Sequence, residues 1–197
     1  VLGGTFDPVH IGHLVVAVEA RYQLDLDHVL LVVANDPWQK RQAGPVAGAA
    51  DRLAVVAAAV ENVVGVEASS IEIDRGGPSY SVETLEHLAG QDPEASLFLI
   101  VGADVAGGLG SWHRCEELPT LATLVVAHRA GSPLPDRVPG FDMVELPIPD
   151  LAISSSDLRQ RLRTGRPVDF LIPEPAVDCM AQRGLYLDGR GLYAGER

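Results

Sequence analysis

Lysine is almost absent from this chain of 197 residues: Lys40 is the only one, against fourteen arginines. Cysteine, methionine and tryptophan occur twice each, and aromatic residues make up 5%. Cys115 and Cys179 stand far apart and outside any Cys-x-x-Cys or Cys/His spacing. That excludes a disulfide framework and a zinc module, and points to a reducing compartment. No apolar run approaches the ~18 residues of a membrane span, and no basic segment precedes an apolar stretch at the N-terminus, so the cytoplasm is the default expectation. Positive charge is also scarce. Fifteen Lys plus Arg against 27 Asp plus Glu leave a net charge of −12, which argues against nonspecific binding to nucleic acid or anionic membrane. A small phosphorylated ligand, which meets only local charge, is not excluded.

What the chain has in quantity is apolar residues, 47% of the total. The length suits a single domain, 1–197, and such a chain buries roughly 70% of its unfolded surface, enough to fold without a disulfide or structural metal. Val1 and Leu2 read as the end of a buried strand whose start lies upstream. After a loop over 3–9, residues 11–22 have apolar positions at helical spacing. Residues 28–34 form a continuous apolar run of strand length, as in buried parallel strands. Helices are expected over 51–63 and 81–89, with strands over 64–73, 97–101 and 123–128. A Pro/Gly loop over 130–140 then precedes a short strand at 143–146. Helices over 154–163 and 174–182 close the pattern. This rhythm predicts a doubly wound, Rossmann-like α/β fold: a parallel sheet over 1–150 with helices on both faces, and a small C-terminal helical part over 151–190. Ligands of such folds sit at the carboxyl ends of strands, so motifs that follow strands carry weight.

The first such motif is Gly3-Gly4-Thr5-Phe6-Asp7-Pro8-Val9-His10-Ile11-Gly12-His13. Two glycines let the backbone turn tightly and bring its N–H groups near an anion. His10 and His13, three apart at a helix start, can face one way above the positive end of the helix dipole, where phosphate is favoured. They could instead cap the helix and pack. The second motif, Ser154-Ser155-Ser156-Asp157-Leu158-Arg159, reads either as a near capping box with a basic face or as another anion site at a helix start.

The first string resembles the signature of the HxGH nucleotidyltransferases, which bind ATP and transfer its nucleotidyl group. The same letters occur in class I aminoacyl-tRNA synthetases, but those need a lysine-rich loop that one lysine cannot supply. The second string, read from Ile153, resembles the superfamily's ISSTxxR segment, with Ser156 in place of the usual threonine. Three further stretches resemble bacterial nicotinate-nucleotide adenylyltransferases. Arg75 to Leu85 is similar to RxxxSYTxxTL, Gly102-Ala103-Asp104 with Trp112-His113-Arg114 to GAD...WHR, and Trp38-Gln39-Lys40 to the PxxK segment. The resemblance continues to Leu185-Tyr186.

It implies that ATP and nicotinate mononucleotide are the partners and that AMP is transferred with release of pyrophosphate. Implied catalytic groups are His10, His13, Lys40 and Arg159. ATP is expected at Gly3, Gly4, Thr5, Phe6, His10, His13, Gly102, Asp104, Ser154, Ser155, Ser156 and Arg159. The mononucleotide is expected at Lys40, Tyr80, Ser81, Trp112 and His113, with the tryptophan stacked on the pyridine ring. No protein metal cluster is visible, so Mg²⁺ is expected to ride on the ATP phosphates. No nucleic acid or membrane partner is expected, and homo-oligomer formation is left open. The alternatives are a phosphopantetheine adenylyltransferase, which is shorter and lacks the RGGPSYS and SWHR stretches, another HxGH nucleotidyltransferase such as a cytidylyltransferase, or a noncatalytic nucleotide-binding module.

Overall fold

A computed structural model of the chain describes residues 1–37, 46–129, 131, 134, 138 and 140–186. Among these, six strands form one parallel sheet: β1 Leu2–Gly4, β2 Val29–Val33, β3 Val66–Ser69, β4 Phe98–Gly102, β5 Thr123–Arg129 and β6 Met143–Ile148. Their spatial order is β3-β2-β1-β4-β5-β6. The order reverses between β1 and β4, where Leu2 pairs with Ile100, so a crevice is expected outside Gly4 and Gly102.

β2, β4 and residues 124–127 of β5 are continuous apolar runs because both faces of the sheet are covered there. Side chains alternate between two cores, as a strand period of two requires. Leu31, Val33, Ile100, Val125 and Leu146 join one core. It is closed by α1 Ile11–Gln23, α2 Ala49–Val60, α7 Ser155–Arg163 and α8 Glu174–Gln182. Leu99, Val101, Leu124 and Val126 join the other core, beneath α4 Ser81–Gln91, α5 Ala103–Ala106 and α6 Leu118–Leu121. The C-terminal helices belong to the first core rather than standing apart: Leu158, Leu162, Ala176, Val177 and Met180 are buried in it, and α8 packs on α2.

The doubly wound α/β expectation holds, with local differences. Residues 64–73 are not one strand. After Ser69 the chain turns into the short helix α3 Ile71–Arg75, because Ser70 accepts the Asp74 N–H at 2.9 Å on its carbonyl and donates its hydroxyl to the Asp74 carboxylate at 2.6 Å. Gly76, at φ 71, ends it. The alternation of Ile71 and Ile73 mimicked a strand, yet the residue between them, Glu72, is buried. Helix α5, a 3-10 turn over Leu109–Ser111 and α6 have four, three and four residues, too few for a helical period to register in sequence. No helix among the described residues is long and apolar enough to cross a membrane.

Candidate active site

The two strands at the reversal both end in glycine, and each glycine has a close neighbour. A Cβ on Gly4 would lie 2.7 Å from the Phe6 ring, and one on Gly102 would lie 2.5 Å from an Asp104 carboxylate oxygen. A Cβ on Gly3, by contrast, would meet nothing within 4 Å, so this stretch of backbone lies open to the crevice. Phe6 reaches its buried position with φ at 49°, a left-handed conformation that costs an aromatic residue about 1–2 kcal/mol. Its ring meets that of His13 edge-on, with centroids 5.0 Å apart.

His10 is the N-cap of α1 and His13 lies in its first turn; their rings stack with centroids 3.7 Å apart. The His10 backbone N–H donates to His13 Nδ1 at 3.2 Å. An atom that accepts an amide proton cannot carry one, so the hydrogen of neutral His13 sits on Nε2. His13 is thereby set as a hydrogen-bond donor through Nε2.

The start of α7 is fixed against the same loop. Ser154 caps the helix by accepting the Asp157 N–H at 3.2 Å. Ser155 donates its hydroxyl to the Pro8 carbonyl at 3.0 Å. Arg159 donates to the Asp7 carbonyl at 2.6 Å through Nη1 and to Ser156 Oγ at 3.1 Å through Nη2. A guanidinium has five N–H donors, so further donors remain on a side chain that borders the crevice. Two helix N-termini, of α1 and α7, therefore converge although their residues lie far apart in the chain, an arrangement that favours anions.

The crevice has a volume of about 1020 Å³, and its walls include every sequence-predicted site residue but one. Gly3, Gly4, Thr5, Phe6, His10 and His13 line it from β1 and α1; Ser154, Ser155, Ser156 and Arg159 from α7; Gly102 and Asp104 from the end of β4. Tyr80, Ser81, Trp112 and His113 also line it, and the Tyr80 and His113 rings stack with centroids 4.2 Å apart. Trp112 also packs in part against the second core. Lys40, with Trp38 and Gln39, lies outside the described residues. Among the described residues no group of three or more His, Cys, Asp or Glu could hold a metal ion. The donors around the glycine turn are N–H groups, imidazoles, hydroxyls and a guanidinium, a set suited to phosphate rather than to a bare cation.

The cytidylyltransferase-like family model matches residues 1–161. A protein of Streptomyces coelicolor called "probable nicotinate-nucleotide adenylyltransferase" is 45% identical over 99% of this chain and 100% of its own length. One of the same description from Mycolicibacterium vanbaalenii is 40% identical, covering 98% and 94%. The chain belongs to the nicotinate-nucleotide adenylyltransferase family. A solved structure of the Plasmodium falciparum nicotinic acid mononucleotide adenylyltransferase, complexed with NaAD, superposes with a TM-score of 0.77 over 94% of this chain and 95% of that one, at 18% identity. At that identity the likeness is one of fold.

Several residues of this nicotinate-nucleotide adenylyltransferase family member escaped the sequence reasoning. Arg52, 1% exposed, donates to the carbonyls of Ala47 at 2.8 Å, Thr5 at 2.7 Å and Ala34 at 2.7 Å. Burial lowers its pKa, while nearby Asp7 and Tyr186 oppose that shift. Glu72 is buried and accepts the Thr84 hydroxyl at 2.8 Å, and Arg75 donates to that hydroxyl at 3.2 Å and to the Pro78 carbonyl at 3.3 Å. This cluster sets the turn leading into Tyr80 and Ser81. The one signal for Arg52 was the single basic residue, next to Asp51, in an Ala/Val-rich helix; for Glu72, a charge between two isoleucines.

Proposed function

We propose that the chain transfers the adenylyl group of ATP to nicotinate mononucleotide, forming deamido-NAD and pyrophosphate in NAD biosynthesis. The observation that carries this reading is the convergence of the two phosphate-type helix starts, joined by the Ser155–Pro8 and Arg159–Asp7 bonds of 3.0 and 2.6 Å, on a crevice that Tyr80, Trp112 and His113 also line. A phosphate oxygen of the mononucleotide attacks the α-phosphorus in line. The new P–O bond forms as the bond to the bridging oxygen breaks, and the electron pair leaves on pyrophosphate. No protein nucleophile takes part; positioning and charge stabilisation carry the catalysis.

In this reading His10, His13 and Arg159 meet the triphosphate and the charge that develops on the leaving group. Lys40 is assigned to phosphate on sequence grounds alone. Gly3, Gly4, Thr5 and Phe6 offer backbone to ATP, with Gly102 and Asp104 toward its nucleoside end. Ser154 and Ser156 contribute hydroxyls. The Ser155 hydroxyl is committed to Pro8, so that residue acts through its N–H. Tyr80, Ser81, Trp112 and His113 receive the pyridine nucleotide, the rings by stacking. Mg²⁺, held by phosphate oxygens and water, neutralises phosphate charge when bound.

The decisive experiment incubates the protein with ATP and Mg²⁺ and one of nicotinate mononucleotide, its amide analogue or phosphopantetheine, and measures pyrophosphate. The expected result is release with nicotinate mononucleotide well above the other two. Release with phosphopantetheine alone, or with none of them, refutes the reading.

A further inference from the structure

The loop from Thr5 to His10 runs from the end of β1 to the cap of α1, and its shape is set largely by side chains from distant parts of the chain. Asp7 is the centre of that arrangement. Its carboxylate, 5% exposed with the rest of the residue, accepts the Tyr186 hydroxyl at 2.6 Å and the Ala47 N–H at 3.2 Å through Oδ1. Its Oδ2 lies 3.6 Å from Arg159 Nη1. Arg52 holds the Thr5 carbonyl from the opposite side. Phe6 and Tyr186, at φ 49 and 62, both take left-handed backbone conformations. Bulky residues keep these only where their surroundings over-determine them, and such positions cluster at functional sites.

We infer that Tyr186 is a positioning residue for adenylyl transfer: by donating to Asp7 it locks the loop that ends at His10 and orients the Arg159 guanidinium on its other side. The inference rests on the proposed function, since it is adenylyl transfer that the loop serves. A purely structural anchor needs only the tyrosine ring, which packs against the first core. The hydroxyl adds nothing to that packing and instead meets a carboxylate in the phosphate loop. Burial, and then Asp7, push its pKa above the ordinary tyrosine value, so it remains a donor throughout the usual assay range. The bond spans 179 positions of sequence and makes the turn that follows α8 part of the site.

Tyr186→Phe deletes the hydroxyl and keeps the ring. The expected result is a fall in kcat of about ten- to a hundredfold, the scale of a small misplacement of catalytic groups, with both KM values within about twofold. Amide hydrogen exchange over residues 5–10 accelerates, while exchange in β4 is unchanged. As a control, Val177→Ala weakens the packing of α8 without touching the loop; it lowers Tm but leaves kcat as in the parent. Unchanged exchange over 5–10 overturns the inference, whatever the turnover. So does faster exchange with unaltered kcat, or a Val177→Ala variant that loses kcat in step with its Tm. A parent protein that releases no pyrophosphate with nicotinate mononucleotide refutes the proposed function instead, and that result is read independently of the exchange.

Discussion

Replacing Arg52 with lysine removes a fork while keeping a charge. Three short bonds, of 2.7, 2.7 and 2.8 Å, run from one guanidinium to the carbonyls of Thr5, Ala34 and Ala47, which belong to the phosphate loop, the end of β2 and the approach to α2. An ammonium on a flexible stem is a point donor and cannot span all three. If it keeps one, two hydrogen bonds to a charged group are lost at about 1.5–3 kcal/mol each, or about 3–6 kcal/mol in all. For a chain of this size 1 kcal/mol moves Tm by about 2–4 °C, so the expected fall is roughly 6–24 °C. Arg52→Met, which leaves all three carbonyls without the donor, falls further. Differential scanning calorimetry, with urea titration to check that the m-value is preserved, measures both. A lysine variant that melts within about 2 °C of the parent, or a methionine variant no less stable than the lysine one, refutes the claim that the fork holds the loop.

His13→Ala removes the Nε2 donor and should lower kcat by about 10²–10³, the range for one lost transition-state donor, with the fold retained by circular dichroism; parent-like turnover would end its assigned role. Trp112→Ala should raise the KM for the mononucleotide much more than that for ATP, whereas equal changes in initial-rate kinetics would assign the indole to packing alone. The Tyr186 hydroxyl has its pKa raised in the folded protein from an ordinary value of 10.0. Between the unfolded and folded values the unfolded chain has lost a proton that the native one keeps, so stability falls as pH rises above about 10. The parent and Tyr186→Phe urea midpoints should therefore converge as pH is raised from 9 to 11; parallel curves would contradict the buried hydroxyl.

The sheet was legible because strands covered on both faces must be apolar throughout. Residues 29–33, 98–102 and 124–127 stand out as such runs. The long helices showed their apolar period, and α7 its serine cap. What failed was local: α5 and α6 are shorter than the period that would reveal them, and α3 hid in an alternation that a single helical turn also produces. The walls of the site were legible for another reason. Glycine, histidine and serine at fixed places after strands were the expected ligand-facing groups, and those motifs share one crevice. The scaffolding of the site was not legible, because Arg52, Asp7 and Tyr186 acquire meaning only when three carbonyls, a carboxylate and a phenol from distant segments meet.

That difference also explains how a chain with a net charge of −12 can present a phosphate-type site. Its buried cation, Arg52, faces carbonyl oxygens and sits near Asp7. The Asp7 carboxylate is in turn engaged by Tyr186 and Ala47 N–H, with Arg159 beside it. Charge beneath the loop is thus largely compensated within the protein. At the crevice wall stand two helix starts, the imidazole of His13 and the remaining donors of Arg159. Most of these are dipoles rather than full charges, and fixed dipoles need no counterion and little reorganisation when a polyphosphate arrives. The acidic remainder of the surface then acts only at longer range, where physiological salt screens it beyond about 8 Å. A site built this way requires very few lysines.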